Sequence, residues 1–281
     1  AGRTCSMTTL TVDFDAPTVE ISDKRLSRLR IFNAVMGALH LTSGTLMLVL
    51  GDRSIELPAS TYNVNGPPGV TPFTDGTLNE VGGLPIALGT AAFMYLSALF
   101  HFIIAAPGGF SFYSSELRRG RNRLRWVEYS LSASLMIVLI AMITGVTDVA
   151  ALIAIAFVNA SMILFGWLME MVNTPNGARW WTPFWFGCIA GIGPWLAIVA
   201  NLVINTGIEG AEQPPTFVYG IIVTIFVFFN SFAINQWLQY RGIGKWKDYV
   251  FGETVYIVLS LAAKSALAWQ IFANTLIPPD A

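Results

Sequence analysis

Seven long apolar runs constrain the fold of this chain more than any other feature of its sequence. A helix rises about 1.5 Å per residue and a bilayer's hydrocarbon core is about 30 Å thick, so roughly 20 apolar residues span it. We expect spans at 29–50, 78–106, 118–144, 149–172, 180–204, 216–240 and 249–276. With 54% hydrophobic and 12% charged residues, the chain is expected to be an all-α multi-pass membrane protein, a single seven-helix domain over residues 1–281.

The longest connection between the runs, residues 51–77, has its own pattern. It places the β-prone segment Ser60–Val64 among several prolines and glycines, including Pro58 and Gly66. Such a segment forms either an ordered surface β-hairpin or a flexible loop, and both interpretations stay open on the sequence.

The basic residues predict the orientation of the helices. Almost all Lys and Arg residues fall on the side of the amino terminus, whereas the opposite side carries only Arg53. Loops rich in Lys and Arg remain cytoplasmic, so we expect a cytoplasmic amino terminus in the cell membrane, an extracellular carboxyl terminus and an extracellular 51–77 connection. The net charge of −1 argues against a nucleic-acid partner.

Lys264 lies within the last apolar run, where a charged side chain is costly and indicates function. Small residues such as Ala263 surround it, and Ser260 lies one helical turn earlier on the same face. A desolvated lysine can attack a carbonyl and form a Schiff base. The alternatives are a buried structural ion pair and a lysine that extends to the membrane interface.

Two acids fall inside the spans and are candidate partners for Lys264. Glu128 is the first choice, provided that the third helix begins near 115–118 rather than at the apolar boundary near Asn122. The alternatives are an interfacial Glu128 paired with neighbouring arginines, and Glu170 as the partner of Lys264. The remaining acids, including Glu253, are expected in loops or near the inner ends of spans.

His40 and His101 are the two histidines, and both occupy apolar runs. They suit a polar, proton-accepting cluster, because imidazole titrates near neutrality. Interhelical hydrogen bonding without proton transfer explains them equally well. No metal site is expected, since cysteines and carboxylates are missing at ligand spacing.

Aromatic residues are dense in the fifth and sixth runs, where they suit either contact with lipid or the walls of a cavity for a long apolar ligand. Met136, Met162, Gly166 and Gln236 would add small or adaptable surface to such a cavity.

Seven spans with a Schiff-base lysine in the seventh resemble the retinal-binding rhodopsins, and within them the heliorhodopsins. The resemblance rests on the Arg125–Ser130 segment, Ser260–Lys264, the two histidines and the cytoplasmic amino terminus. It implies all-trans retinal held as a protonated Schiff base on Lys264, with Glu128 as counterion and Ser260 near the linkage. It also implies that His40 and His101 form the polar cluster, and that the pocket is lined by Met136, Asn159, Met162, Gly166, Trp185, Phe229 and Gln236.

The resemblance further implies a homodimer paired through an outer β-hairpin. We expect no enzymatic activity. Many light-driven pumps carry an aspartate where this chain has Ser260, and a second carboxylate where it has Leu139. We therefore expect light sensing without ion pumping, read by an unidentified cytoplasmic signalling protein. The alternatives are a light-driven proton pump, a light-gated channel, and a non-photochemical transporter or receptor with a buried Lys–Glu pair.

Overall fold

The computed structural model describes residues 19–66, 76–173, 179–210 and 213–276. This part of the chain contains eight α-helices and one antiparallel pair of strands. The elements are α1 (Asp23–Leu50), β1 (Glu56–Val64), β2 (Gly76–Pro85), α2 (Ile86–Ala105), α3 (Pro107–Arg118), α4 (Arg123–Ile143), α5 (Val149–Val172), α6 (Thr182–Thr206), α7 (Thr216–Arg241) and α8 (Tyr249–Ile271). A 3₁₀ turn (Gly244–Lys247) precedes α8, and a π turn (Phe272–Leu276) follows it.

Seven of the helices in the described ranges, all except α3, are long and apolar enough to cross a membrane. Large apolar side chains such as Ile31 and Phe157 project outward from these helices. Outward apolar side chains suit a lipid environment, since lipid tails solvate them. The expectation of a helical, multi-pass membrane protein is therefore confirmed.

Local sequence signals fix several of the helix ends. The side chain of Asn122 accepts a hydrogen bond from the backbone N–H of Arg125, and Asp148 caps α5 in the same way. Such caps satisfy amide groups that have no partner within the helix. Gly242 ends α7 in the left-handed region at φ 63°, which glycine adopts without steric cost.

The expected start of the second span at residue 78 is wrong, because residues 76–85 form β2 rather than helix. This strand pairs with β1 in a register that runs from Glu56 opposite Pro85 to Val64 opposite Gly76. Two adjacent glycines, Gly82 and Gly83, disfavour a helical conformation in this segment. The segment between the strands, 67–75, lies outside the described residues.

The β1–β2 pair is anchored to one end of the helix bundle. The backbone N–H of Ser60 donates to the Thr147 carbonyl at 2.9 Å, and the two hydroxyl oxygens lie 2.8 Å apart. Leu57 and Leu84 pack against the main apolar core, to which α1, α2 and α4 to α8 all contribute. The strands therefore cover the end of the bundle.

The expected start of the third span near 115–118 is also wrong. A separate short helix, α3, precedes it, and the chain turns through Gly120 at φ 70° before α4 begins at Arg123. Tyr113 and Leu117 of α3 pack with Leu29 and Val250 in a second apolar cluster. Because α3 covers this end of the bundle, Glu128 is buried although it lies only five residues into α4.

Candidate functional site

The centre of the bundle holds an ion pair between α8 and α4. Lys264 Nζ donates to Glu128 Oε1 at 2.7 Å and to Ser260 Oγ at 2.8 Å. The lysine is 3% exposed and the glutamate 5%. Ser260 and Lys264 meet because residues four apart share one face of a helix. Of the two proposed partners, the structure brings Glu128 to the lysine and not Glu170.

The Glu128 carboxylate has a second donor in the hydroxyl of Ser97 from α2, at 2.6 Å from Oε1. Burying a carboxylate costs several kcal/mol unless an opposite charge and hydrogen bonds compensate. Lys264 supplies the charge and Ser97 an added bond. Three helices thus converge to hold one carboxylate in a fixed position.

The two histidines lie together beside this ion pair. Their rings stack with centroids 5.4 Å apart and an interplanar angle of 15°. His101 Nδ1 lies 2.8 Å from the Oδ1 of Asn33, and His40 Nδ1 lies 3.4 Å from the sulfur of Met94. His101 and Glu128 line a common cavity of about 20 Å³. That volume accommodates one water molecule, and polar groups surround it.

Lys264 also lies at the wall of a much larger cavity, of about 580 Å³. This volume falls within the roughly 300–1,000 Å³ typical of small-molecule pockets. Aromatic and aliphatic side chains from α4 to α8 form most of its wall, and Trp126, Tyr129, Trp195 and Tyr256 are the largest of them. The cavity is suited to a long apolar molecule that reacts with an amine at one end.

Most residues predicted to line a pocket do line this cavity: Met136, Met162, Gly166, Phe229, Gln236, Ser260 and Lys264. Two do not. Trp185 is 58% exposed and points outward, so its predicted place in the wall is wrong; the neighbouring Phe184 takes that place. Asn159 is buried away from the cavity and donates to Ser134 Oγ at 3.1 Å.

A second buried ionic cluster was missed by sequence reasoning. Arg125 pairs with both Glu170 and Glu253, and all three are buried. Asn122 Nδ2 and Tyr113 Oη donate to Glu253 Oε1 at 2.7 and 3.1 Å. The spacing of residues in the last span indicates that Glu253 is buried, since Glu253, Ser260 and Lys264 fall on one face of α8.

The second cluster touches the large cavity through two aromatic rings. The Arg125 guanidinium lies 4.7 Å from the ring centre of Trp126 and 4.0 Å from that of Tyr256. The Trp126 indole N–H also donates to Glu170 at 2.6 Å. Both rings line the cavity, so the cluster fixes part of its wall.

Comparison with known proteins identifies the family. The heliorhodopsin family model matches residues 29–276, which is most of the chain. The chain belongs to the heliorhodopsin family. Among solved structures, this heliorhodopsin resembles the light-driven proton pump LR (Mac) from Leptosphaeria maculans, with a TM-score of 0.58 and 16% identity over 90% of this chain and 96% of that one. No curated protein matches it.

Membership of the heliorhodopsin family implies a retinal chromophore and a photoreceptor type of protein. The residues present fit retinal, an apolar polyene that carries an aldehyde. The cavity wall is largely apolar, and the amine of Lys264 and the hydroxyl of Ser260 lie at one place on it. The predicted resemblance to heliorhodopsins is confirmed.

Proposed function

We propose that this heliorhodopsin is a photoreceptor that holds all-trans retinal as a protonated Schiff base on Lys264 and uses light for sensing, without ion pumping. The observation that carries the proposal is the buried ion pair of Lys264 and Glu128 at the wall of an apolar cavity. When bound, retinal supplies visible absorption and a light-driven change of shape.

The residues around Lys264 have distinct roles in this proposal. Glu128 balances the positive charge on the linked nitrogen, since it already lies 2.7 Å from that atom. Ser97 holds Glu128 in place, and the Ser260 hydroxyl lies 2.8 Å from the free amine, next to the linkage. His40 and His101 are the groups that would receive a proton displaced from this site.

The absence of pumping rests on two positions. Leu139 is fully buried within the apolar core of the described structure, and no carboxylate occupies that place. Ser260 stands where many pumps have an aspartate four residues before the lysine. A proton pump is the second candidate, because the structural neighbour from Leptosphaeria maculans is one.

The orientation and partners are also part of the proposal. Arg121, Lys245 and Lys247 lie between spans at one end of the bundle, which we assign to the cytoplasm. The β1–β2 pair is then extracellular. Its exposed apolar side chains, among them Leu78 and Val81, support a role in a homodimer. A cytoplasmic signalling protein would bind at the end of the bundle that carries these basic residues.

Reconstitution with all-trans retinal tests the proposal. We expect the purified protein to gain a visible absorption band, and the Lys264→Ala variant to lack it. Illumination of unbuffered cells that express the pigment should then leave the external pH unchanged. A missing band would refute retinal binding, whereas a sustained light-driven pH change abolished by a protonophore would refute sensing without pumping.

A further inference from the structure

Three arginines converge on one buried carboxylate in the connection between α3 and α4. Glu116 is 1% exposed. Its oxygens accept bonds from Arg123 Nε at 2.6 Å and from Arg121 Nε at 3.1 Å, while Arg119 Nη1 lies 3.7 Å away. We refer to Arg119, Arg121 and Arg123 as the arginine cluster. Glu116 holds the cluster together, because each side chain is oriented toward the same group.

One carboxylate cannot neutralise three guanidinium groups, so the arginine cluster keeps an excess positive charge. The next arginine, Arg118, does not change this balance, since it pairs with Asp23 at 2.8 Å. Within the described ranges, both Nη atoms of Arg121 and Nη1 of Arg123 have no hydrogen-bond acceptor. Guanidinium groups with unused donors are well matched to phosphate oxygens.

The position of the cluster favours a ligand that belongs to the membrane. Arg123 is the first residue of α4, which is one of the helices able to span the bilayer. Its guanidinium lies 5.0 Å from the ring centre of Phe112, an exposed aromatic residue of α3. Arginine beside an exposed aromatic ring at the end of a span is typical of the headgroup region. The amino-terminal amides of α4 add positive potential there.

We propose that the arginine cluster is a binding site for the phosphate of an anionic phospholipid such as phosphatidylglycerol. Glu116 orients the three side chains before a ligand binds. Arg119 and Arg123 are partly exposed, so the headgroup meets donors that are already oriented. Lipid binding at this cluster is separate from the proposed photoreceptor function and does not depend on retinal. The basic end of the bundle then has one defined lipid site in addition to a diffuse positive charge.

The test compares binding of dioleoylphosphatidylglycerol to the full-length protein and to two double variants by native mass spectrometry. Arg121→Gln/Arg123→Gln removes two members of the cluster, and we expect the apparent Kd to rise on the order of tenfold. The matched control is Arg241→Gln/Lys245→Gln, which removes two charges from the same end of the bundle. These two side chains lie over aromatic rings instead of sharing a carboxylate. We expect the control to bind nearly as well as the wild type.

Equal losses in the two double variants, or no loss in either, would overturn a defined site. Displacement of the lipid by inorganic phosphate would overturn the assignment to a lipid headgroup and indicate a free phosphate instead. If Arg121→Gln/Arg123→Gln does not fold, Arg119→Gln replaces it, because Arg119 makes only a long contact with Glu116. A weaker affinity of Arg119→Gln for phosphatidylglycerol would support the site, and an unchanged affinity would overturn it.

Discussion

The indole of Trp126 fills the space that a side chain at Gly166 would need. A Cβ atom at position 166 would lie 2.5 Å from Cζ3 of the Trp126 ring, closer than side chains approach one another. Trp126 in turn donates to Glu170 and lines the large cavity. The glycine in α5 therefore determines where one wall of the cavity lies.

Gly166→Ala is expected to displace this wall. The added methyl group must push the Trp126 ring, and overpacking of this kind costs about 1–3 kcal/mol. We expect a lower melting temperature and a shifted absorption maximum of the reconstituted pigment. Gly220→Ala is the matched control, since its Cβ would meet no atom within 4 Å. Equal behaviour of the two variants would show that the contact with Trp126 does not shape the cavity.

Glu128→Gln is expected to shift the absorption maximum of the pigment to the red. Loss of the negative charge next to the linked nitrogen allows positive charge to spread along the polyene. Absorption spectra of the reconstituted variants measure the effect. Glu116→Gln serves as control, because Glu116 is a buried, ion-paired glutamate on α3, away from the cavity. A wild-type spectrum for Glu128→Gln would contradict its role as counterion.

Lys264→Ala is expected to destabilise the retinal-free protein. Removal of one partner leaves Glu128 buried without a counter-charge, which costs about 3–5 kcal/mol. The double variant Lys264→Ala/Glu128→Gln should recover much of this loss, because no unpaired charge remains. Thermal unfolding of the four proteins measures the coupling. Additive effects of the two substitutions would argue against a direct ion pair.

Arg125→Gln is expected to be among the most destabilising substitutions at the α3 end. It leaves two buried carboxylates, Glu170 and Glu253, with no positive charge between them, at a cost of about 3–5 kcal/mol. Arg25→Gln, at the same end of the bundle, breaks only the partly exposed pair with Asp248, worth about 0–1 kcal/mol. Melting temperatures should therefore separate the two variants clearly. Similar values would mean that the buried cluster adds little to stability.

Tyr113→Phe is expected to weaken the dependence of stability on alkaline pH. Burial raises the pKa of the Tyr113 phenol well above its usual range, and the Glu253 carboxylate adds to the rise. This contribution to stability is fully present below the unfolded pKa of about 10, and is lost by about 1.4 kcal/mol per pH unit above it. Unfolding measured at neutral and alkaline pH should show a smaller fall for the variant. Parallel curves would contradict the burial of this phenol.

Much of the site could be predicted because membrane spans contain few polar residues. Lys264 and Glu128 stand out in apolar runs, and the structure places them 2.7 Å apart. Trp185 could not be placed in the same way, since aromatic residues occupy both lipid-facing and pocket positions. Only the rotation of α6 about its axis decides between them, and the sequence does not determine that rotation.

The boundaries of the elements were harder to predict for a related reason. The segment that forms β2 contains enough apolar residues, among them Leu78 and Val81, to extend a hydrophobic run, although its hydrogen bonds go to β1. The sequence predicts Glu253 near the inner end of a span, because no residue pattern indicates that α3 covers this end of the bundle. Packing of α3 against the other helices buries the residues at that end of the bundle.

Attachment of the chromophore to Lys264 is tested most directly by reduction of the reconstituted pigment with borohydride followed by peptide mass spectrometry. Reduction fixes a retinyl group on the nitrogen that held it. We predict the added mass on the peptide that contains Lys264. A retinyl group on Lys24, Lys245 or Lys247, or on no lysine at all, would show that Lys264 does not hold the chromophore.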